Sequence, residues 1–198
     1  RIPRSIPLID GLLLLARTEH SPVLTDLDLR EVAEQQVQQA AVTADQMGLR
    51  LDLDLQPAPV RGERALLERL VGNLVENAVK HNVAEGWFAV KTWTAGDRAV
   101  LKVASSGTPV PAEDLERLFE RFYRADKSRS RKTGGFGLGL SIVKAVATAH
   151  GGSVELAAVP DGGLDVTVSL PLRSSASPAP TAPRTAAAQQ TPRSAESR

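Results

Sequence analysis

The chain has 198 residues, 42% of them apolar and 24% charged, and a net charge of +1. That suits one ordinary globular domain with appendages and gives no global field toward nucleic acid. Absence of cysteine excludes disulfides, a thiolate nucleophile and a cysteine zinc site, and the scattered His20, His81 and His150 lack any H-E-x-x-H spacing for a zinc enzyme.

The chain opens on Arg-Ile-Pro without a signal peptide, and reads as a piece of something longer. Its longest apolar run, Gly11–Ala16, is too short to span a bilayer. Leu8–Ala16, ending in Arg17-Thr18-Glu19, reads as the last turns of a helix whose start is missing, or as a frayed helix on the domain's own core. Ser21-Pro22 breaks it, and Thr25 or Asp26 can cap the next helix. That helix runs to about Gln46, with Leu29, Val32, Ala33, Val37, Ala40 and Ala41 at helical period, and Gly48 ends it.

Leu49–Leu55 alternates strictly, which predicts a half-buried strand stopped by Pro57 and Pro59. Glu63–His81 carries the strongest amphipathic stripe: Leu66, Leu67, Leu70, Val71, Leu74 and Ala78. Trp87–Trp93 and Ala99–Val103 are strands joined through Ala95-Gly96-Asp97. Ala112–Phe119 reads as a short helix after Pro111. Residues 124–134 are basic and aperiodic, a loop. Leu140–Ala149 is a helix closed by Gly151-Gly152, and Ser153–Ala158 and Leu164–Leu170 are strands across Pro160–Gly163. From Arg173 onward the Ser, Pro, Ala, Thr and Gln content predicts disorder. The sum is an α/β two-layer sandwich: a mixed sheet of about five strands with about three long helices on one face.

Two segments carry chemistry. Asn73 and Asn77 stack on one face of their helix, with Lys80 three further on. Amide oxygens suit Mg²⁺, and an ammonium suits phosphate. A tolerated polar stripe is the alternative, although two mid-helix asparagines cost about 0.5 kcal/mol each. Gly135-x-Gly137-x-Gly139 opens a helix, where free N–H groups favour an anion; alone it could equally be a flexible linker. Rossmann, P-loop and protein-kinase signatures are absent. Arg121, Arg124, Lys127, Arg129, Arg131 and Lys132 form a charge run that is either a solvated loop or a mobile phosphate-holding lid. His81 and His150 read as structural.

In order and content these pieces resemble the catalytic ATP-binding domain of the two-component sensor histidine kinases, in the GHKL superfamily with its Bergerat-type fold. Asn73–Asn82 resembles the N box. Leu118-Phe119-Glu120-Arg121-Phe122-Tyr123-Arg124 resembles the phenylalanine box. Gly135–Leu140, Ser141–Lys144 and His150–Gly152 resemble the second glycine box and its sequel, and Leu170-Pro171-Leu172 the closing strand. Leu8–Glu19 looks like the end of a dimerisation and phosphoacceptor helix.

The resemblance implies three parts: residues 1–20 ending that helix, a catalytic domain over 21–172, and a tail over 173–198. It implies that Asn77 coordinates magnesium with Asn73 beside it, and that Lys80 faces the phosphates of ATP. It further implies that Gly135, Gly137, Leu138, Gly139 and Leu140 shape the phosphate loop. Phe119 and Phe122 would anchor the lid, with Arg124 on it, and Ser105 and Gly107 would belong to the first glycine box.

Two departures fall on the adenine side. Ser105 stands where the family has Asp and Pro109 where it has a second Gly, while Leu164 follows Gly163 where Thr is common. Related ATP hydrolases carry a glutamate at the place of Asn73, so the resemblance favours phosphoryl transfer to protein over hydrolysis. No His-Glu-x-x-x-Pro motif is present. The implied function is transfer of the γ-phosphate of Mg-ATP to a histidine on an upstream domain absent from this chain, and onward to a response regulator. The intact protein would be a homodimer in the cell membrane, this part cytoplasmic, with no nucleic-acid partner. A degenerate nucleotide module, an anti-sigma-type serine kinase and a purely structural domain are the rival readings.

Overall fold

The computed structural model describes residues 23–123 and 137–173. The expectations for Leu8–Glu19, the basic run from Arg124 to Lys132, Gly135 and the tail beyond Arg173 lie outside the described residues.

The order is β1 (Thr25–Asp28), α1 (Leu29–Gln46), β2 (Arg50–Leu55), β3 (Pro59–Gly62), α2 (Arg64–Lys80), β4 (Trp87–Ala95), β5 (Arg98–Ser106), two 3-10 turns (Ala112–Asp114 and Glu116–Phe119), α3 (Gly139–Ala149), β6 (Ser153–Ala158) and β7 (Gly163–Pro171). A five-stranded sheet runs β2-β4-β5-β7-β6. β2 lies parallel to β4, and the other neighbours are antiparallel.

Alternation along the strands decides where the helices sit. Phe88 and Val90 of β4, Leu101 and Val103 of β5, and Val166, Val168 and Leu170 of β7 join one core with the buried faces of all three helices. α2 is the central helix, packed against α1 on one side and α3 on the other. Its stripe, Leu66, Leu67, Leu70, Val71, Leu74 and Ala78, is buried as its period predicts. On the opposite sheet face Lys91 meets Asp52 at 2.9 Å and Lys102 meets Asp165 at 2.7 Å, so that face is laced by cross-strand ion pairs.

Four expectations change. Thr25 and Asp26 belong to β1, which pairs with β3 in a separate two-stranded ribbon. The cap of α1 is Asp28, whose carboxylate accepts from the N–H groups of Arg30 and Ala58, both at 2.9 Å. Pro59 therefore begins a strand instead of only ending one. β2 is not half-buried: Leu51 and Leu53 are 44% and 45% exposed, because β2 is an edge with a neighbour on one side only. Finally, Ala112–Phe119 forms two 3-10 turns, not one helix.

The end of α2 is tied to the sheet by one side chain. Asn82 donates from Nδ2 to the carbonyls of Ala78 (2.8 Å) and Trp87 (3.0 Å). Its Oδ1 accepts from Ser106 Oγ (2.6 Å) and Val83 N–H (2.9 Å), and Ser106 Oγ in turn accepts from Trp87 N–H at 2.8 Å. Among the described residues no helix is long and apolar enough to cross a membrane.

Asn82→Ala should cost roughly 2–3 kcal/mol, because it strips partners from several half-buried polar groups at once. Urea unfolding measures this; a loss below about 0.5 kcal/mol would mean that water replaces the side chain freely.

Candidate functional site

α2 carries three of the candidate residues, and its own start is held by a histidine. Glu63 N–H donates to His150 Nε2 at 3.1 Å, and His150 Nδ1 contacts the Val146 carbonyl at 2.8 Å. An accepting Nε2 leaves the proton on Nδ1, which donates to that carbonyl. His150 thus joins the end of α3 to the beginning of α2, the structural role expected of it. The sequence signal was only its place before the glycine pair.

The asparagine stripe does not stay together. Four residues advance the helix by about 40° beyond a full turn, and seven fall about 20° short of two turns. Asn77 therefore faces α3, and Asn73 and Lys80 turn toward α1. The Asn77 carboxamide lies against the first turn of α3, where a Cβ on Gly139 would sit 3.3 Å from its Nδ2. Asn73 is 8% exposed, and its Nδ2 has no partner among the described residues. It lines a cleft of about 350 Å³ between α1 and α2, with Gln36, Thr43, Arg69, Glu76 and Lys80. The Lys80 ammonium is paired with the Glu76 carboxylate one turn earlier. An exposed i,i+4 pair holds by only about 0.3–0.5 kcal/mol, so an anion of higher charge can draw Lys80 away.

Among the described residues no side chain caps the first turn of α3, where the helix dipole favours negative charge. Gly137, with φ of +69°, makes the turn into it; a Cβ there would sit 2.7 Å from the Tyr123 carbonyl. Leu138 packs on the core edge, and Leu140 is buried in it. Only glycine fits at Gly137 without pushing the phenylalanine-box backbone away.

The phenylalanine box divides. Phe119 packs on the core with the Lys144 ammonium 4.6 Å from its ring centre. Tyr123 Oη donates to Asp114 Oδ1 at 2.5 Å, and the Arg117 guanidinium lies 4.2 Å from that ring's centre. The hydrogen bond to Asp114 raises the phenol above its ordinary value. Phe122 is 60% exposed. Its φ of +65° puts it in the left-handed region, costly for an aromatic residue by about 1–3 kcal/mol. Its N–H donates to the Gly137 carbonyl at 3.0 Å, so the two ends of the intervening segment are clasped.

The first glycine box closes the other end of the site. Ser105 is buried on the helix-facing side of β5, and its register partners are Phe88 and Leu164. Both departures from the resembled pattern thus stand side by side. Gly107 presses on the end of α2, since a Cβ there would lie 2.9 Å from the His81 carbonyl. Gly163, with φ of +117°, packs so closely on Ser105 that any Cβ would overlap its carbonyl oxygen.

The donor set fits a magnesium triphosphate better than a protein-caged metal. Among the described residues no three His, Cys, Asp or Glu groups converge. What the site offers is an amide beside a helix start, where a Cβ on Gly139 would sit tightly against Asn77, the minimal protein share for an ion held mostly by phosphate oxygens and water. Arg124 and Gly135 lie outside the described residues.

Comparison with known proteins bears on the same residues. The family model described as histidine kinase-, DNA gyrase B-, and HSP90-like ATPase matches residues 62–174. The sensor protein CutS of Streptomyces coelicolor is 43% identical over 171 residues, 85% of this chain and 41% of that protein. The sensor-like histidine kinase SenX3 of Mycobacterium tuberculosis is 35% identical over 159 residues, 79% of this chain and 38% of that protein. A solved structure of the mycobacterial sensor histidine kinase MprB superposes with a TM-score of 0.66 at 28% identity, covering 76% of this chain and 99% of that one. The chain spans about two-fifths of the length of these curated relatives. By its fold, its motifs and this match, the chain belongs to the histidine kinase-, DNA gyrase B- and HSP90-like ATPase family.

Proposed function

We propose that this chain is the catalytic, ATP-binding part of a sensor histidine kinase. It would hold Mg-ATP between the Asn77 side of α2 and the turn into α3. The catalytic domain would cover residues 21–172, following the end of a phosphoacceptor helix over 1–20. The observation that carries the reading is the contact of the Asn77 carboxamide with the uncapped first turn of α3 at Gly139. It supports a hard oxygen ligand and N–H groups suited to phosphate acting at one point.

Each residue then has a task. Asn77, with Asn73 near it, would hold the magnesium, which supplies charge neutralisation across the phosphates. Gly137 and Gly139 let the backbone approach the anion, and Lys80 would leave Glu76 for a phosphate oxygen. Ser105, Gly107 and Leu164 would border the adenine. Arg124 and Gly135 would reach the phosphates from the intervening segment. Phe119 holds the floor of the phenylalanine box, and Phe122 is left out of the nucleotide contacts. The γ-phosphate would pass to a histidine on the upstream, dimerising part of the intact protein, and from there to a response regulator. Catalysis would be positioning and electrostatics. Asn73 supports transfer over hydrolysis, because a neutral amide cannot take a proton from water. In the intact sensor this part would be cytoplasmic.

Extended by its upstream region, the protein should take label from γ-labelled ATP in an acid-labile, base-stable form, as a phosphohistidine does. The present chain alone should stay unlabelled. Label on His20, His81 or His150 in the chain alone would defeat the reading.

Asn77→Ala should abolish most of the magnesium dependence of ATP binding. Titration calorimetry with magnesium and with EDTA shows it: wild type loses affinity in EDTA, and the variant binds about equally weakly in both. Equal wild-type affinity in both buffers would remove the metal role.

The adenine side makes a sharper case. Ser105 offers a neutral hydroxyl and Leu164 nothing polar, so affinity should lean on the triphosphate, and ATP should exceed GTP by a small margin. Ser105→Asp places a carboxylate at a buried site. It should destabilise the free domain by about 1–3 kcal/mol, the cost of an unpaired buried polar group. It should tighten ATP by up to about tenfold and leave GTP nearly unchanged, since only adenine presents an amine there. Tightening of both nucleotides alike, or weakening of ATP, would place the base elsewhere.

A further inference from the structure

We infer that the free edge of β2 is a self-association surface: two copies of this chain pair antiparallel along it, centred on Leu51, so that their sheets run on as one. The contact lies within the catalytic part, apart from the dimerisation proposed for the upstream region, and it does not depend on the nucleotide reading.

β2 and β6 are the edges of the five-stranded sheet. They differ in what they show to solvent. Val154 and Leu156 of β6 pack on the core. Leu51 and Leu53 of β2 stand 44% and 45% exposed. Their register partners, Phe88 and Val90, belong to the core, so the leucines lie on the helix-bearing face of the sheet. The polar groups of the strand are sorted as well. The N–H groups of Arg50 and Gln56 donate to the Gly86 and Thr92 carbonyls, both at 2.9 Å. Alternate residues thus serve β4, and the N–H and carbonyl groups of Leu51 and Leu53 point to the open edge.

Aspartates on an edge usually guard it against pairing. Here the charges select a register instead. In an antiparallel pair of identical strands the outward groups match only when the two-fold axis passes through a residue. An axis through Arg50, Asp52, Leu53 or Asp54 sets like charges opposite one another. An axis through Leu51 sets Arg50 of each copy opposite Asp52 of the other, with no like charges facing. These are non-hydrogen-bonded pairs, whose side chains come closest. Leu51 then exchanges bonds with its own symmetry mate, and the Leu53 N–H meets the Leu49 carbonyl of the second copy. The Leu49 N–H needs no partner there, because it already donates to the Ala44 carbonyl at 3.0 Å. Lys91, 2.9 Å from Asp52, and Arg50 of the second copy hold that carboxylate from either side. Leu51 and Leu53 of both copies close into one apolar strip. Ser105 on β5 and Asn77, which faces α3, lie away from this edge, so the nucleotide site stays open. A pairing this short is weak by itself and gains from any tether between the copies.

Sedimentation equilibrium of the whole chain tests this, from about 10 μM to about 1 mM. A reversible dimer with a Kd of about 0.1–1 mM is expected. Arg50→Asp and Asp52→Arg should each weaken it at least about tenfold, because each sets like charges opposite one another. An equimolar mixture of the two should associate again, a rescue that only the Leu51 register allows. Leu51→Lys should also leave a monomer, with a thermal midpoint within about 3 degrees of wild type, since the position is exposed. The chain has no cysteine, so Leu51→Cys puts its one thiol on the axis. The paired Cα atoms would be about 5.5 Å apart, within disulfide reach. Mild oxidation should link this variant at concentrations where Val42→Cys, at a 67% exposed position of α1, stays unlinked. ATP affinity should stay within about twofold in every variant.

A wild type that stays monomeric at about 1 mM would give the edge to another segment and overturn the inference. So would a dimer that survives Arg50→Asp, a mixture that fails to recover, or Leu51→Cys linking no faster than Val42→Cys. A wild type that binds no nucleotide would count against the proposed function instead, and would leave each of these outcomes readable.

Discussion

The site depends on one knot of hydrogen bonds, that of Asn82 with Ser106 and Trp87. It stands where three elements meet: the end of α2, the start of β4 and the end of β5. α2 carries the asparagines and is amphipathic, so burial alone would allow it to slide or roll on the sheet. Asn82 removes that freedom by bonding back to Ala78 within the helix and forward to Trp87 in the strand. The same knot fixes the exit of β5, so the direction of Asn77 and the position of Ser105 are set together. The space is too tight for a side chain at Gly86, where a Cβ would overlap both Asn82 Oδ1 and Ser106 Oγ. His150 does the corresponding work at the other end of α2. A helix fastened at both ends can hold a carboxamide against Gly139 within a few tenths of an ångström.

The two ends of the site have different chemistry. On the proposed reading, the phosphate end offers backbone N–H groups and the Asn77 amide, and neither selects among nucleotides. At the Ser105 end the polar group expected of the family is reduced to a hydroxyl beside Leu164. On the proposed reading, most of the affinity comes from charge, which screening weakens and magnesium restores.

Much of this was legible in the sequence for simple reasons. Helical period gave α1, α2 and α3, and alternation gave the sheet strands, because burial on one face enforces both patterns. β2 shows the limit. Its leucines alternate as a half-buried strand would, yet Leu51 and Leu53 are exposed, since alternation reports a strand and not what lies over it. The β1–β3 ribbon was illegible because four residues are too few to show a period and because Pro59 reads as a stop. In the site, spacing put Asn73, Asn77 and Lys80 on one face. It could not show that a drift of about 40° sends Asn77 to α3 and Asn73 to α1, or that Glu76 holds Lys80. Phe119 and Phe122 looked equivalent as letters. Backbone sign separates them, and no side-chain pattern encodes that.

The orphaned amide of Asn73 gives the last step of the synthesis. A carboxylate in that place could take a proton from water and let the domain turn over ATP alone. An amide cannot, so a bound γ-phosphate would wait for a nucleophile brought by another element. The cleft beside Asn73 lies between α1 and α2, across α2 from the glycine turn. On the proposed reading, such a domain gains nothing from enclosing its phosphate end; it gains from an open approach.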